Sequence, residues 1–357
     1  MPLDLTASSL EITRTICDIP SVSGDEATLA DLIEDAMRSL GHLEVIRSGN
    51  TIVARTDLGR AQRVVIAGHI DTVPINANVP TRDIEIDGEP YLWGRGTVDM
   101  KAGVAVQLKL AAELVEPAVD ITWMWYDNEE VDAARNGLKL LADSRPDLFA
   151  ADFAILGEPS NGQVEGGCNG TLRAVVRTTG VRAHSARAWV GENAIHRAAP
   201  ILARLAEYRP REVPVEGLVY REGLNAVRIS GGIAGNVIPD ACEVEVNYRF
   251  APSKSAADAE EHVRRVFDGF AVEITDLSAG ARPGLDAPIA QQFVAAVGAV
   301  PQPKYGWTDV ARFSALGIPA VNYGPGDPHL AHHDEERVPV AQIADTEQGL
   351  RSWLSGV

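Results

Sequence analysis

Three short, nearly continuous apolar runs constrain the fold of this chain more than any other feature. They are Val64-Val65-Ile66-Ala67, Ile121-Thr122-Trp123-Met124-Trp125-Tyr126 and Phe153-Ala154-Ile155-Leu156. A strand with one wet face alternates apolar and polar residues, whereas a continuous run is how a strand buried on both faces reads. Helical patterns lie between them, over Ala102 to Leu114 and over Val131 to Leu141. Alternation of this kind implies an α/β layer structure around a mostly parallel sheet. Ahead of the first run, Leu29, Leu32, Ile33, Met37 and Leu40 form a helical apolar stripe. Ser23 and Glu26 are spaced as a capping box at its start, and Gly41 is placed to end it.

From Leu172 the pattern changes. Leu172–Thr179 reads as strand, Asn193–Tyr208 as helix, Leu224–Ser230 and Cys242–Phe250 as strands, Ala256–Phe267 as helix and Val272–Leu277 as strand. The order β-α-β-β-α-β is the ferredoxin-like arrangement, which forms a small domain by itself. The expected architecture is one catalytic domain, residues 1–171 and 283–357, interrupted by an inserted domain of residues 172–282.

Composition narrows the function. The 357 residues carry a formal net charge of −18. A field of that sign repels nucleic acid and anionic membrane surfaces, so neither is an expected partner. No stretch reaches the roughly 18 apolar residues of a membrane span. The N-terminal residues lack a basic segment followed by an apolar core, and the cysteines Cys17, Cys168 and Cys242 form no close pair. A cytoplasmic location is the expectation.

Each apolar run is followed at once by residue types that bind metal. The first leads into Gly68-His69-Ile70-Asp71, the second into Asp127-Asn128-Glu129-Glu130 and the third into Gly157-Glu158-Pro159. A fourth segment, Gly94-Arg95-Gly96-Thr97-Val98-Asp99-Met100-Lys101, is a glycine-rich turn feeding a helix. In open α/β sheets, sites form outside the carboxyl ends of the strands, so His69, Asp99, Glu129, Glu130 and Glu158 are placed to converge. Brought together, their carboxylates and that of Asp71 would repel one another and take up protons. One or two divalent cations remove that conflict. Imidazole and carboxylate without thiolate suit zinc, cobalt or manganese. Asp71, two residues from His69 in extended chain, is placed to accept its free ring N–H or to sit just behind it. Adjacent Glu129 and Glu130 must diverge if the backbone is extended, one ligating while the other faces substrate. The glycine turn has Asp99 where a dinucleotide fingerprint needs Gly or Ala. No Gly-x-Ser-x-Gly elbow is present, which disfavours serine hydrolase chemistry.

These residues resemble the M20 family of co-catalytic metallopeptidases and deacylases. The matching stretches are Gly68 to Pro74, Gly94 to Lys101, the Glu129-Glu130 pair, Gly157 to Ser160, and a late histidine followed by Glu336, and they span nearly the whole chain. The resemblance implies an α/β zinc-hydrolase catalytic domain with an inserted ferredoxin-like dimerisation or lid domain. It implies two divalent ions, Zn2+ with Co2+ able to substitute, and amide hydrolysis of a small anionic N-acyl amino acid. By similarity His69, Asp99 and Glu158 hold one ion, Asp99, Glu130 and His332 hold the other, and Glu129 is the general base and acid. Both His332 and His333 are present, and the family spacing of four residues to Glu336 selects His332. Glu335 stands where the family has Asp or Asn.

The resemblance also implies that His184, in Arg182-Ala183-His184-Ser185-Ala186-Arg187, reaches the active site of a partner subunit and polarises the scissile carbonyl, so that a homodimer is expected. Ala183 and Ala188 replace the family's Gly and Pro around it. An anionic substrate needs local cations against the −18 background. Arg312, Arg249 and Arg173 are the candidates, since guanidinium pairs bidentately with carboxylate. Asn236 and Thr308, in further matching stretches, join them as candidate substrate-binding residues.

Overall fold

The apolar runs become the strands Arg63–His69, Asp120–Tyr126 and Phe153–Leu156 of the computed structural model, which describes residues 2–356. All three are mutually parallel neighbours, with Arg63–His69 in the middle: Val64 stands opposite both Ile121 and Phe153. Ala320–Asn322 extends this parallel core beyond Phe153–Leu156. Antiparallel strands flank this core, Thr51–Arg55 and then Glu44–Ser48 on one side and Glu165–Gly166 on the other. The result is an α/β fold with a mixed, mostly parallel sheet. Every residue of Asp120–Tyr126 is buried, the environment its unbroken pattern requires. The helix Lys101–Glu113 is buried from Lys101 through Ala111. Even its Lys101 is sealed in, its Nζ donating to the carbonyls of Ile16 and Ile19 at 3.0 Å each.

The chain forms two compact units. One comprises the chain up to Gly166, Pro283–Gln302 and the chain from Arg312 onward; the other comprises Gly167–Arg282 and Pro303–Ala311. The second unit holds a four-stranded antiparallel sheet in the order Gly223–Gly231, Ala241–Phe250, Gly170–Thr179, Ala271–Ser278. With its helices it has the β-α-β-β-α-β succession read from the sequence. Leu172, Ala174, Val244, Val246 and Tyr248 of the sheet pack with Ile201, Ala259 and Val263 of the helices. A hairpin of Glu212–Val215 and Leu218–Arg221 is an addition the sequence pattern did not disclose.

Local details depart from expectation for identifiable reasons. The helix expected over Val131 to Leu141 is Gly137–Ser144, capped by Asn136, whose side chain accepts from the Lys139 N–H. It cannot begin earlier because the preceding turn is tied into the site described below. The helix expected over Asn193–Tyr208 is two, Ala194–Arg197 and Ala199–Glu207, with Pro200 starting the second. The helix read over Leu29 to Leu40 spans Ala27–Arg38, Ser23 does not cap it, and a further helix, Ser9–Cys17, precedes it. No helix among the described residues is long and apolar enough to cross a membrane.

Close backbone contact locks the central helix to a strand end. A Cβ on Gly103 would lie 2.2 Å from the carbonyl oxygen of Gly157. In an exposed helix Gly→Ala is favourable, because glycine carries an entropic cost there. Here the sign reverses: Gly103→Ala is expected to lower the unfolding free energy by about 1–3 kcal/mol, the usual scale of core overpacking. Urea denaturation measures it, and a stability gain would show that the helix has room to move.

Candidate metal centre

Site residues are delivered by strand ends and the turns that follow them. His69 closes the strand Arg63–His69, and the chain continues parallel to its neighbour, Ile70 donating to the Tyr126 carbonyl at 2.8 Å. Glu158 comes two residues after Phe153–Leu156 and is buried. Asp99 is carried by the glycine turn ahead of Lys101–Glu113. Gly96 there has φ +81°, and an added Cβ would press on Thr72 and Lys101, so the turn needs glycine. His332 sits at φ +65°, a left-handed conformation uncommon for a residue with a side chain. Strain of that kind gathers at functional positions.

Among the described residues three groups of donor atoms result, each with its atoms within 4.8 Å of one another: His69–Asp99–Glu158, Asp99–Glu130–His332 and His69–Glu129–Glu130. The first two share Asp99. Its Oδ1 lies 3.0 Å from His69 Nε2 and its Oδ2 3.3 Å from His332 Nε2. His332 Nε2 is also 2.9 Å from Glu130 Oε2. His333 is exposed and belongs to none of these groups.

The electrostatics are those of a crowded acid cluster. Burial opposes the charged form of His69, yet its hydrogen bonds to Asp71 and Asp99 hold its pKa well above the ordinary value. Burial likewise opposes the Asp99 carboxylate, but His332 and His69 pull its pKa far down. Glu130 is pushed up, first by burial and then by the charge of Asp99. Hydrogen bonds to Asp99 and Glu130 raise His332 to about 10. Protonation of the two imidazoles and binding of a cation are thus alternative ways of neutralising this cluster. The donor set, all imidazole nitrogen and carboxylate oxygen in two groups joined through one aspartate, fits a pair of divalent cations.

Asp71 takes the second of its two expected placements. His69 Nδ1 meets the backbone carbonyl of Asp71 at 3.1 Å, while the carboxylate stands behind it at 3.5 Å. That carboxylate instead accepts from Ser23 Oγ at 2.7 Å and from the backbone N–H groups of Glu129 and Glu130 at 3.0 and 3.1 Å. Sequence spacing had placed Ser23 as a helix cap; its hydroxyl serves Asp71. Nor is the chain extended at Glu129-Glu130. It turns there, after Asn128 at φ +57°, so both carboxylates join one group with His69 and do not diverge.

The remaining candidates are not members of the three donor groups. In the second unit, Arg173 and Arg249 occupy neighbouring strands, Arg173 opposite Asn247 and Arg249 opposite Thr171, on the sheet face away from buried Leu172 and Tyr248. His184 is exposed on a two-residue strand paired with Val237-Ile238, and Ser185 donates to the carbonyl of exposed Asn236 at 2.9 Å. Thr308 is buried, its carbonyl 3.7 Å from Cys168 Sγ. Arg312, in the first unit, is half-buried.

A mostly parallel sheet whose carboxyl ends gather two carboxylate–imidazole groups around one aspartate defines the class of metal-dependent α/β hydrolases. The description of peptidase family M20/M25/M40 matches residues 65–355, and the chain belongs to this family. It is 55% identical over 357 residues to a protein of Mycobacterium tuberculosis described as a putative succinyl-diaminopimelate desuccinylase DapE, covering 99% of this chain and 100% of that one. It is 47% identical over 364 residues to the succinyl-diaminopimelate desuccinylase of Corynebacterium glutamicum, covering 99% and 98%. Among solved structures, a tripeptidase of Staphylococcus aureus superposes with a TM-score of 0.79 at 21% identity, covering 99% of each chain, a likeness of fold.

Three donors converge on the Asp71 carboxylate in a place without water to replace it, since its exposure is 0%. Asp71→Ala strands two backbone N–H groups and a hydroxyl. The expected result is a fall in unfolding free energy of about 1–3 kcal/mol, the cost of leaving buried donors unmade. Chemical denaturation reads this, and an unshifted transition would mean that the turn at Glu129-Glu130 is held by something else.

Proposed function

We propose that this chain is a metal-dependent amidohydrolase that removes the succinyl group from N-succinyl-L,L-2,6-diaminopimelate, releasing succinate and L,L-diaminopimelate. The observation that carries the chemistry is Asp99 shared by two donor groups. The near-full-length identity to the two desuccinylases supports the substrate. In this reading His69, Asp99 and Glu158 hold one ion, and Asp99, Glu130 and His332 hold the other. Such ions, Zn2+ with Co2+ able to replace it, supply polarisation of the scissile carbonyl and a lowered pKa for the attacking water.

The protein's own groups then move the protons. Glu129, grouped with His69 and Glu130, takes a proton as the water oxygen bonds to the amide carbon, and returns it to the nitrogen as the C–N bond breaks. Asp71 fixes the turn from which Glu129 projects. His184 supplies a hydrogen bond to the developing oxyanion from a second copy of the chain. Its Nδ1 accepts from the Ala186 N–H at 3.1 Å, so in the neutral ring the proton resides on Nε2, the nitrogen left to donate. Arg312, Arg249, Arg173, Asn236 and Thr308 bind the carboxylates and polar groups of the substrate. The second unit serves as lid and dimerisation domain. Strand Gly223–Gly231 ends its sheet and exposes Val227 and Ile229, which supports pairing of two copies there. Three buried cysteines without a disulfide suit the cytoplasm.

The substrate assignment is tested with N-succinyl-L,L-diaminopimelate, N-acetylornithine and a dipeptide offered to Zn2+-reconstituted protein. The succinylated compound is expected to have the highest kcat/KM. Preference for either control, or full activity after exhaustive chelation, would overturn the assignment. Glu129→Gln is expected to retain its metal and lose about 10²- to 10⁴-fold in kcat, the range for a general base. His184→Ala is expected to lower kcat with metal content unchanged, and an active strict monomer by light scattering would refute its action across subunits.

A further inference from the structure

Glu336 belongs to none of the donor groups, yet it is 1% exposed and fully engaged. Its Oε1 accepts from the backbone N–H groups of Val98 at 2.9 Å and Asp99 at 3.0 Å. Its Oε2 accepts from Arg95 Nη1 at 2.9 Å. Its own backbone carbonyl accepts from the Gly94 N–H at 3.0 Å. Arg95, itself buried, donates from Nη1 to the His333 carbonyl at 3.2 Å, and its backbone N–H meets the Asn78 carbonyl at 2.8 Å. Asn78 in turn reaches the Asp334 carbonyl. The segment that carries His332 is therefore stitched to the segment that carries Asp99 through side chains that touch neither imidazole.

A buried ion pair is a poor device for stability alone, because desolvation of both charges opposes it and an apolar pair of similar size would serve. It does fix geometry. The Glu336 carboxylate takes up two adjacent backbone N–H groups, which leaves the Asp99 backbone one orientation. The guanidinium then ties the His333 carbonyl to that same carboxylate. With both oxygens committed to N–H donors, Glu336 is not itself placed as a cation ligand.

We propose that Glu336 and Arg95 are positioning residues that set Asp99 and His332 at their mutual spacing, so that the Asp99–Glu130–His332 group is preorganised for a cation. The inference rests on the metal reading above. It concerns affinity and not turnover, so it is read without substrate.

Calorimetric titration of metal-free protein with Zn2+ tests it, with the absorption spectrum of the Co2+-loaded protein as a second readout. Wild type is expected to bind two ions. In Glu336→Gln the amide oxygen still accepts from Val98 and Asp99, but its NH2 group faces the Arg95 guanidinium and the stitch is broken. Affinity at one of the two sites is expected to fall about 10- to 100-fold, the usual effect of removing a group that orients a ligand, with a changed Co2+ spectrum. Arg95→Lys keeps the charge but, one bond shorter, withdraws it from the position of Nη1 that serves both Glu336 and His333, so a smaller loss in the same direction is expected. If Glu336→Gln does not fold, Arg95→Lys alone decides. A folded variant with both affinities and the spectrum unchanged overturns the proposal, even where its melting temperature has dropped. A wild type that binds no ion overturns the metal reading and this inference with it.

Discussion

Carboxylates crowded at the carboxyl end of a buried sheet set the terms for everything around them. Asp99 and Glu130 both reach His332, and each raises the cost of charge on the other. Chains without a use for such an arrangement separate acids or expose them. Here the surrounding structure holds them in place. A one-residue slip of these parallel strands would reverse the facing of every side chain and undo the close packing on both faces, so their register is fixed. Strand ends are thus the stiffest points from which to project opposed charges.

Around that rigid base, backbone amides provide much of the restraint. The Asp71 carboxylate takes the N–H groups of Glu129 and Glu130, and the Glu336 carboxylate takes those of Val98 and Asp99. In each case a buried acid outside the two groups that share Asp99 fixes two successive residues, one of which is an acid inside them. An N–H donor favours the ionised form of its acceptor, so the supporting acids gain from the same contacts that orient the cluster. Side-chain rotamers alone would leave Glu129 and Glu130 several options. A pinned turn leaves few.

What could be read in the sequence follows from range. His69, Glu158 and Asp99 were legible because each stands a fixed number of residues beyond a strand or a glycine turn, and burial on both faces makes such strands conspicuous. Substrate contacts were less legible, since Arg173 and Arg249 depend on register between strands far apart in the chain. Ser23 shows how a local pattern misleads. Its spacing to Glu26 matches a capping box, but its hydroxyl bonds to Asp71, 48 residues away, and the helix begins at Ala27 without a side-chain cap. The start of Gly137–Ser144 failed for the same reason: helical periodicity from Val131 is real, but Asp127 and Asn128 are held by Thr51 and Glu26. Local propensity lost to tertiary contacts in both places, and both adjoin the site.

Lys101 joins these observations. A lysine at the start of a helix beside an acid cluster reads as a counter-charge, but its ammonium turns away to the carbonyls of Ile16 and Ile19. Burial lowers its pKa, and those two acceptors are what make the charge tolerable. The consequence is that the cluster is left short of positive charge by construction. Were Lys101 to face Asp99, it would quench the aspartate and compete with any cation for it. Directing it to the backbone at the end of helix Ser9–Cys17 anchors that segment, whose continuation brings Ser21 to the Ile70 carbonyl and Ser23 to Asp71. Lys101 and, through Glu336, Arg95 of the glycine turn thus both support the scaffold, and the Asp99 carboxylate is left to His69 and His332.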